Sequence, residues 1–332
     1  MRRYLLIILA STACFLGSSI GRADDLVSET VSPQDAHLQL VNQALDNIES
    51  SFNNQTIASQ PVVNSINTVN NQNTPVLGGL NPRRNEFEFS PELYWAKYDA
   101  PKAMNQHGFL TGYNAKYSYR ILNEPDWAIN MFRLQAQWAS GKFDTQPSNQ
   151  GPSGIKDKTF DLRGVVGKDI YPYANLRTTG YFGYGYRYLK DNSEGLTTTI
   201  GPVTFQGDRR YSHYYYLPLG ADIVYQKNSQ YSVESNLEYD YLIRGRQVDE
   251  LGDFGFPGYG TLVVAQKDGE GLRASIRLNY YFKYCTAFAE TFYRYWHISE
   301  SKSKPDPNVP GATLYEPKNN TEEFGMRFGL EI

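Results

Sequence analysis

Between Thr321 and Ile332 the chain alternates without a slip. Phe324, Met326, Phe328, Leu330 and Ile332 share one parity, and Glu323, Gly325, Arg327, Gly329 and Glu331 share the other. A β-strand reverses its side-chain direction at every residue, so this segment is a strand with one apolar face and one charged, glycine-spaced face. The same period of two recurs upstream. Leu272, Ala274, Ile276, Leu278, Tyr280 and Phe282 oppose Arg273, Ser275, Arg277, Asn279 and Tyr281. Val233, Leu237, Tyr239, Tyr241 and Ile243 oppose Glu234, Asn236, Glu238, Asp240 and Arg244. From Glu86 onward the pattern predicts ten strands, at about 86–98, 108–120, 127–139, 158–171, 177–190, 211–226, 230–245, 270–284, 286–299 and 321–332.

The connections alternate as well. Those after the second, fourth, sixth and eighth strands are short, such as Lys283-Tyr284-Cys285. Those after the third, fifth, seventh and ninth are long and rich in Gly, Pro, Asp and Ser (140–157, 191–210, 246–269, 300–320). A soluble barrel, apolar inside and charged outside, has the same parity. Three features favour a membrane barrel instead: the alternation of loop lengths, strands longer than the usual ~5–6 residues, and a tyrosine-rich apolar face. Composition agrees, with 27 Tyr, 17 Phe and 28 Gly in 332 residues. A net charge of −3 gives no reason to expect nucleic acid.

The N-terminal region reads differently. Met1-Arg2-Arg3, an apolar run from Tyr4 to Gly17, and Gly21-Arg22-Ala23 before Asp24-Asp25 read as a signal peptide over 1–23. A lipoprotein signal on Cys14 is disfavoured by Ser11, where a large aliphatic residue belongs. Cleavage after Ala23 leaves Cys285 as the one cysteine, without a disulfide or a cysteine-rich metal site. Over 24–85 the sequence predicts a periplasmic helix and a flexible linker. Ser32-Pro33-Gln34-Asp35 starts the helix, and Leu38, Val41, Leu45, Ile48 and Phe52 form a narrow apolar seam. That seam suits docking on the barrel, self-association or a periplasmic partner. Residues 53–82, rich in Asn, Gln, Ser and Thr, form the linker.

The closing strand resembles that of small Gram-negative outer-membrane β-barrels, whose final residues carry the assembly signal. The resemblance covers about residues 86–332 and implies an all-β, ten-stranded antiparallel transmembrane up-and-down barrel in the outer membrane. It also implies contact with outer-membrane lipid and lipopolysaccharide, and with the barrel-assembly machinery during biogenesis. The chain departs from the family by ending in Ile332 rather than Phe or Trp, while keeping the apolar parity.

With the apolar parity toward lipid, the other face lines the lumen. That places Glu88, Glu92, Lys116, Arg120, Arg133, Asp161, Arg163, Arg187, Asp222, Glu234, Glu238, Asp240, Arg244, Arg273, Arg277, Glu290, Arg294, Glu323 and Arg327 inside. About eight strands enclose a space just filled by side chains, and sixteen or more leave an aqueous channel. The balanced charges of a ten-stranded barrel are therefore expected to pair with one another.

Strand count and loop layout resemble the omptin proteases, which use an aspartate pair and an Asp–His couple near the extracellular rim. The histidines are His37, His107, His213 and His297. Asp208 and His213 lack the family's Asp-x-His spacing, and no Asp-x-Asp pair stands at a matching rim. Trp296-His297-Ile298-Ser299 resembles the His-x-Ser motif of outer-membrane lipid A deacylases, with His297 as base, Ser299 as nucleophile and Glu300 or Glu316 nearby in sequence. Neither metal-ligand spacing nor a phosphate loop is evident, and no cofactor is expected. The leading expectation is a structural or surface-interaction barrel displaying its loops, with Phe254, Phe256 and Tyr259 suited to a partner surface. A lipid-modifying enzyme using His297 and Ser299 and a narrow small-solute pore are the alternatives.

Overall fold

A computed structural model describes residues 80, 82–101, 104–122, 127–145, 152–200, 203–254, 260–306 and 310–332. The signal peptide, the helix seam from Leu38 to Phe52, most of the linker, and Phe256 and Tyr259 lie outside these residues. Ten long strands form one antiparallel sheet: β1 (Asn85–Ala100), β2 (Met104–Arg120), β3 (Met131–Thr145), β4 (Ser153–Tyr173), β5 (Leu176–Asn192), β6 (Arg209–Gln226), β7 (Tyr231–Glu250), β8 (Gly269–Tyr281), β9 (Thr286–Ile298) and β10 (Asn319–Glu331). Each pairs with its sequence neighbours, and β1 pairs with β10, so the sheet closes into an up-and-down barrel. Trp95 stands opposite Phe324 and Glu92 opposite Arg327 at this seam. Ile332 completes it: its N–H donates to Phe87 O at 2.9 Å, and its carbonyl accepts from Phe87 N–H at 3.0 Å. Closure leaves the sheet without a free edge, which matters because an unpaired backbone group in hydrocarbon costs several kcal/mol.

Parity governs which side chains meet which surroundings. On the outside, Phe109 (64% exposed), Leu219 (63%) and Phe328 (59%) stand among Trp138, Phe182, Tyr184, Leu237 and Leu278. A continuous apolar belt of this kind has no place in water but suits a bilayer. Among the inward-facing residues are glycines that receive aromatic rings. A Cβ on Gly185 would lie 2.1 Å from the Tyr216 ring, and one on Gly325 would lie 2.3 Å from Tyr94 Cβ, so both positions need glycine for close approach.

The turns at the end where β1 begins and β10 finishes are short, as the sequence predicts for most of them. Ala174-Asn175 joins β4 to β5 and residues 227–230 join β6 to β7. Asn228 shapes the latter turn, its Oδ1 accepting from the backbone N–H groups of Gln230 and Tyr231 at 2.9 Å. The β2–β3 connection is longer than expected because the strand starts at Met131 and not near Trp127. At the opposite, loop end the strands outrun the sequence reading. The 191–210 segment holds a hairpin (Thr197–Ile200 with Val203–Gln206), and Lys304–Pro305 pairs with Thr313–Leu314. Thr261–Gln266 pairs with β7 upstream of β8, so the 246–269 loop is largely strand.

One irregularity alters the parity. Tyr215 pairs with Arg244 but Tyr216 pairs with Leu242, leaving Ile243 as a bulge. The inward residues of β7 are Glu238, Asp240 and Leu242 before it, then Gly245, Gln247 and Asp249 after it. Arg244, expected inside, is therefore exposed on the outer face. A bulge leaves no mark in an alternating pattern until the parity is seen to fail, and Gly245 broke the count at that point.

Candidate functional site

The barrel interior is filled from β1 to β10 by side chains of one parity, and its centre is a lattice of ion pairs. Arg273 on β8 donates from Nε to Asp240 Oδ2 at 2.6 Å and from Nη2 to Asp161 Oδ2 at 2.8 Å, with Glu238 Oε1 3.3 Å away. Tyr216 O–H donates to Asp161 Oδ1 at 2.8 Å. Arg163 pairs with Glu238, which also accepts from Tyr181 O–H at 2.8 Å. A second lattice sits beside β9. Glu323 accepts from Arg187 at 2.6 Å and forms an ion pair with Arg294 at 2.6 Å, and Gln137 links Arg294 to Glu92. Arg327 lies 3.6 Å from both Glu92 and Glu290. Arg133 meets Asp222 at 2.6 Å, and Asn236 donates to the other Asp222 oxygen at 2.7 Å. Asp240 and Glu238 are at most 1% exposed, so their charge has no water to fall back on and depends on these partners.

Toward the terminal end Arg277 joins Glu88 at 2.6 Å and Glu331 at 3.0 Å, while Lys116 takes the other Glu88 oxygen at 2.6 Å. Arg120 pairs with Glu86 and, at 2.8 Å, with Asp169. Below them lies a polar cavity of about 220 Å³ lined by Glu234 and Arg177, with Leu80, Pro82 and Arg83 at its mouth. Leu80 N–H bonds Ala174 O in the β4–β5 turn at 2.8 Å, so the chain crosses this end of the barrel before entering β1. That strap was not legible in a linker of mixed polar residues.

A second void, of about 60 Å³, opens toward the loop end between Tyr98, Gln106, Asp157, Asp191, Arg210, Ser212, Tyr214 and Gln247. Arg210 pairs with Asp191 and stacks 5.9 Å from the Tyr98 ring. Tyr98 O–H donates to Glu316 at 3.2 Å, and Glu316 N–H donates to Ser301 Oγ at 2.8 Å, so Glu316 folds in over the rim. Burial pushes the Glu316 carboxyl up to about 7, with Arg210 opposing the rise and Asp249 adding to it. Asp253 bonds Arg209 at 2.9 Å, which holds its carboxyl below the usual range.

Of the charges expected in the lumen, all except Arg244 face the interior. Sequence reasoning missed Glu86, Asp169, Arg177, Asp157, Asp191, Arg210 and Asp249 at the two ends. Most share a parity with a residue already assigned, as Glu86 does with Glu88 and Asp169 with Asp161, so carrying the alternation further would have found them. The inward aromatic residues Tyr94, Tyr216 and Trp296 were hidden by the assumption that aromatic residues face lipid.

His297 and Ser299 do not form a couple. His297 points outward, and its Nδ1 lies 2.7 Å from Asn320 Oδ1, which also accepts from Tyr295 O–H at 3.0 Å. Ser299 is bound through its backbone, its N–H donating to Asp268 O at 2.9 Å and its carbonyl accepting from Gln266 Nε2 at 3.4 Å. Glu316 turns into the barrel toward Tyr98 and away from His297. His213 meets Tyr186 O–H at 2.8 Å through Nδ1 on the outer face, whereas Asp208 accepts no bond from it. Among the described residues, no group of His, Cys, Asp and Glu side chains has the geometry to hold a metal ion.

No family model and no curated protein matches the chain. Solved barrels do match in shape. The outer-membrane protease OmpT from Escherichia coli is 11% identical, with 78% of this chain and 98% of that chain covered at a TM-score of 0.47. The attachment invasion locus protein Ail of Yersinia pestis is 11% identical, covering 75% and 100% at a TM-score of 0.26. The translocator domain of the autotransporter NalP from Neisseria meningitidis is 9% identical, covering 89% and 96% at 0.36. At these identities and scores the likenesses carry no functional argument. The fold stands on the pairing and register of the chain itself, which are those of an outer-membrane type β-barrel.

Proposed function

We propose that this protein is an outer-membrane barrel with a side-chain-filled interior that conducts nothing and acts through its outer surface and its loop end. The observation that carries this reading is the central lattice, where Arg273, Asp161, Asp240, Arg163 and Glu238 meet across the lumen. An ion or small solute passing the centre would have to break several desolvated pairs at once, each costing several kcal/mol to part. Ten strands belong to the narrow, filled end of the barrel series. The long strands carry the β5–β6 hairpin and the 300–318 loop past the apolar belt, where they are available to a surface partner. Liposome swelling tests the reading directly. Proteoliposomes of the full chain should swell in small sugars and amino acids no faster than empty liposomes, and rapid swelling would favour the narrow-pore reading.

A further inference from the structure

Above the apolar belt, the loop-end rim of β3 to β7 carries a bank of cations. Lys142 of β3 stands directly opposite Lys156 of β4, and Lys158 of β4 directly opposite Lys190 of β5. All four side chains are on the outward parity, and Lys142, Lys156 and Lys158 are exposed. The bulge at Ile243 adds Arg244 and Arg246 to the same face, opposite Tyr215 and His213. None of these six cations has an ion pair among the described residues. Of the outward acids at this rim, Asp144 is engaged by Gly154 N–H at 2.8 Å and Glu250 by the Thr261 hydroxyl at 2.7 Å.

Like charges directly opposite on a sheet are destabilising. Two such pairs in succession, together with a bulge that brings two arginines outward, are a cost that an anionic ligand would reverse. The other side of the barrel lacks this feature, since Lys97 of β1 faces Glu322 of β10. Immediately toward the belt centre lie Trp138, Phe160, Tyr186, Tyr188 and Tyr215, rings that suit acyl chains. Cations at headgroup level above rings at acyl level match a lipid whose headgroup carries phosphate, to which lysine and arginine give charge-assisted hydrogen bonds.

We propose that this rim is a binding site for a phosphate-bearing lipid, with the phosphate held by Lys142, Lys156, Lys158 and Lys190, which adjoin one another across β3, β4 and β5, and the chains lying on Trp138 and Phe160. The proposal rests on the membrane-barrel reading and names the lipid contact.

The test is electron spin resonance of the full chain in phosphatidylcholine bilayers, comparing spin-labelled phosphatidic acid with spin-labelled phosphatidylcholine. A several-fold preference for the phosphatidic acid label is expected. It should fall to about one in a K142Q/K156Q/K158Q/K190Q variant and persist in K97Q. The single change K142E replaces a repulsion with an attraction, so it should raise the urea midpoint while weakening the preference. Equal association of both labels in the wild type, or full preference in the quadruple variant, would overturn the site. Loss of the preference in ~10 mM inorganic phosphate would also overturn it, by marking a soluble-anion site. Absence of any motionally restricted lipid would instead overturn the membrane-barrel reading itself.

Discussion

Arg273 reaches from β8 to β4, placing its Nη2 2.8 Å from Asp161 Oδ2 in the middle of the barrel. The same guanidinium is 5.3 Å from the Tyr216 ring, whose hydroxyl holds the second Asp161 oxygen. One side chain thus joins two sides of the sheet that the backbone ladder connects only around the circumference.

Removing that bridge strands three acids. In Arg273→Met the carboxylates of Asp161, Asp240 and Glu238 lose a cation inside the protein, and breaking such a buried pair costs about 3–5 kcal/mol. Unfolding in urea, followed by loss of the compact, heat-modifiable band on gels, should shift to lower urea by an amount in that range. An unchanged midpoint would mean that the interior is wetter than the lattice implies.

On the outside, the sign of the environment is reversed. Leu219 lies between Tyr215 and Tyr225 on the outward face of β6 and is 63% exposed. Leu219→Arg should cost about 2–4 kcal/mol in a bilayer, the penalty for a cation near the midplane of a barrel's lipid face. Leu219→Phe should be near neutral. The equilibrium between folded and urea-unfolded protein in phosphatidylcholine vesicles gives both numbers.

Glu316 makes the loop end sensitive to pH. Its carboxyl titrates at about 7 when it is folded in over the rim, against 4.5 for an ordinary glutamate. A raised carboxyl binds its proton more tightly in the folded state. The stabilisation is therefore complete below about pH 4.5 and is lost as pH rises through about 7. The groups facing it are Arg210, which opposes the rise, and Asp249, Tyr98 and Gln247. Amide exchange at Ser301 and Glu316, corrected for intrinsic rates, should quicken between pH 5 and pH 8 in the wild type and stay flat in Glu316→Gln.

The His-x-Ser pair gives a prediction of no change. His297 is oriented by the amide of Asn320 at 2.7 Å, and among the described residues no carboxylate pairs with it, Glu270 opposite it on β8 accepting instead from Tyr239 O–H at 3.0 Å. Mass spectra of lipid A from cells carrying Ser299→Ala should match those of the wild type. Lost acyl chains that depend on Ser299 would require a different loop arrangement.

Much of this fold was legible in the sequence because a barrel wall writes its two environments into alternate residues. The ten strands and the inward position of Arg273, Arg277 and Glu323 follow from that alternation alone. What stayed hidden obeys no period. The bulge at Ile243 turned Arg244 outward, inward glycines made room for Tyr94 and Tyr216, and the Leu80 strap depends on a single backbone bond to Ala174. The basic rim was also out of reach, because like-charged pairs such as Lys158 and Lys190 appear only once the register is known.

The most direct measurement is single-channel recording from the full chain in planar bilayers. The account predicts silence for the wild type under applied voltage and conductance steps once Arg273, Asp161, Asp240, Arg163 and Glu238 are replaced together by Ala. Reproducible steps of uniform size from the wild type would contradict it.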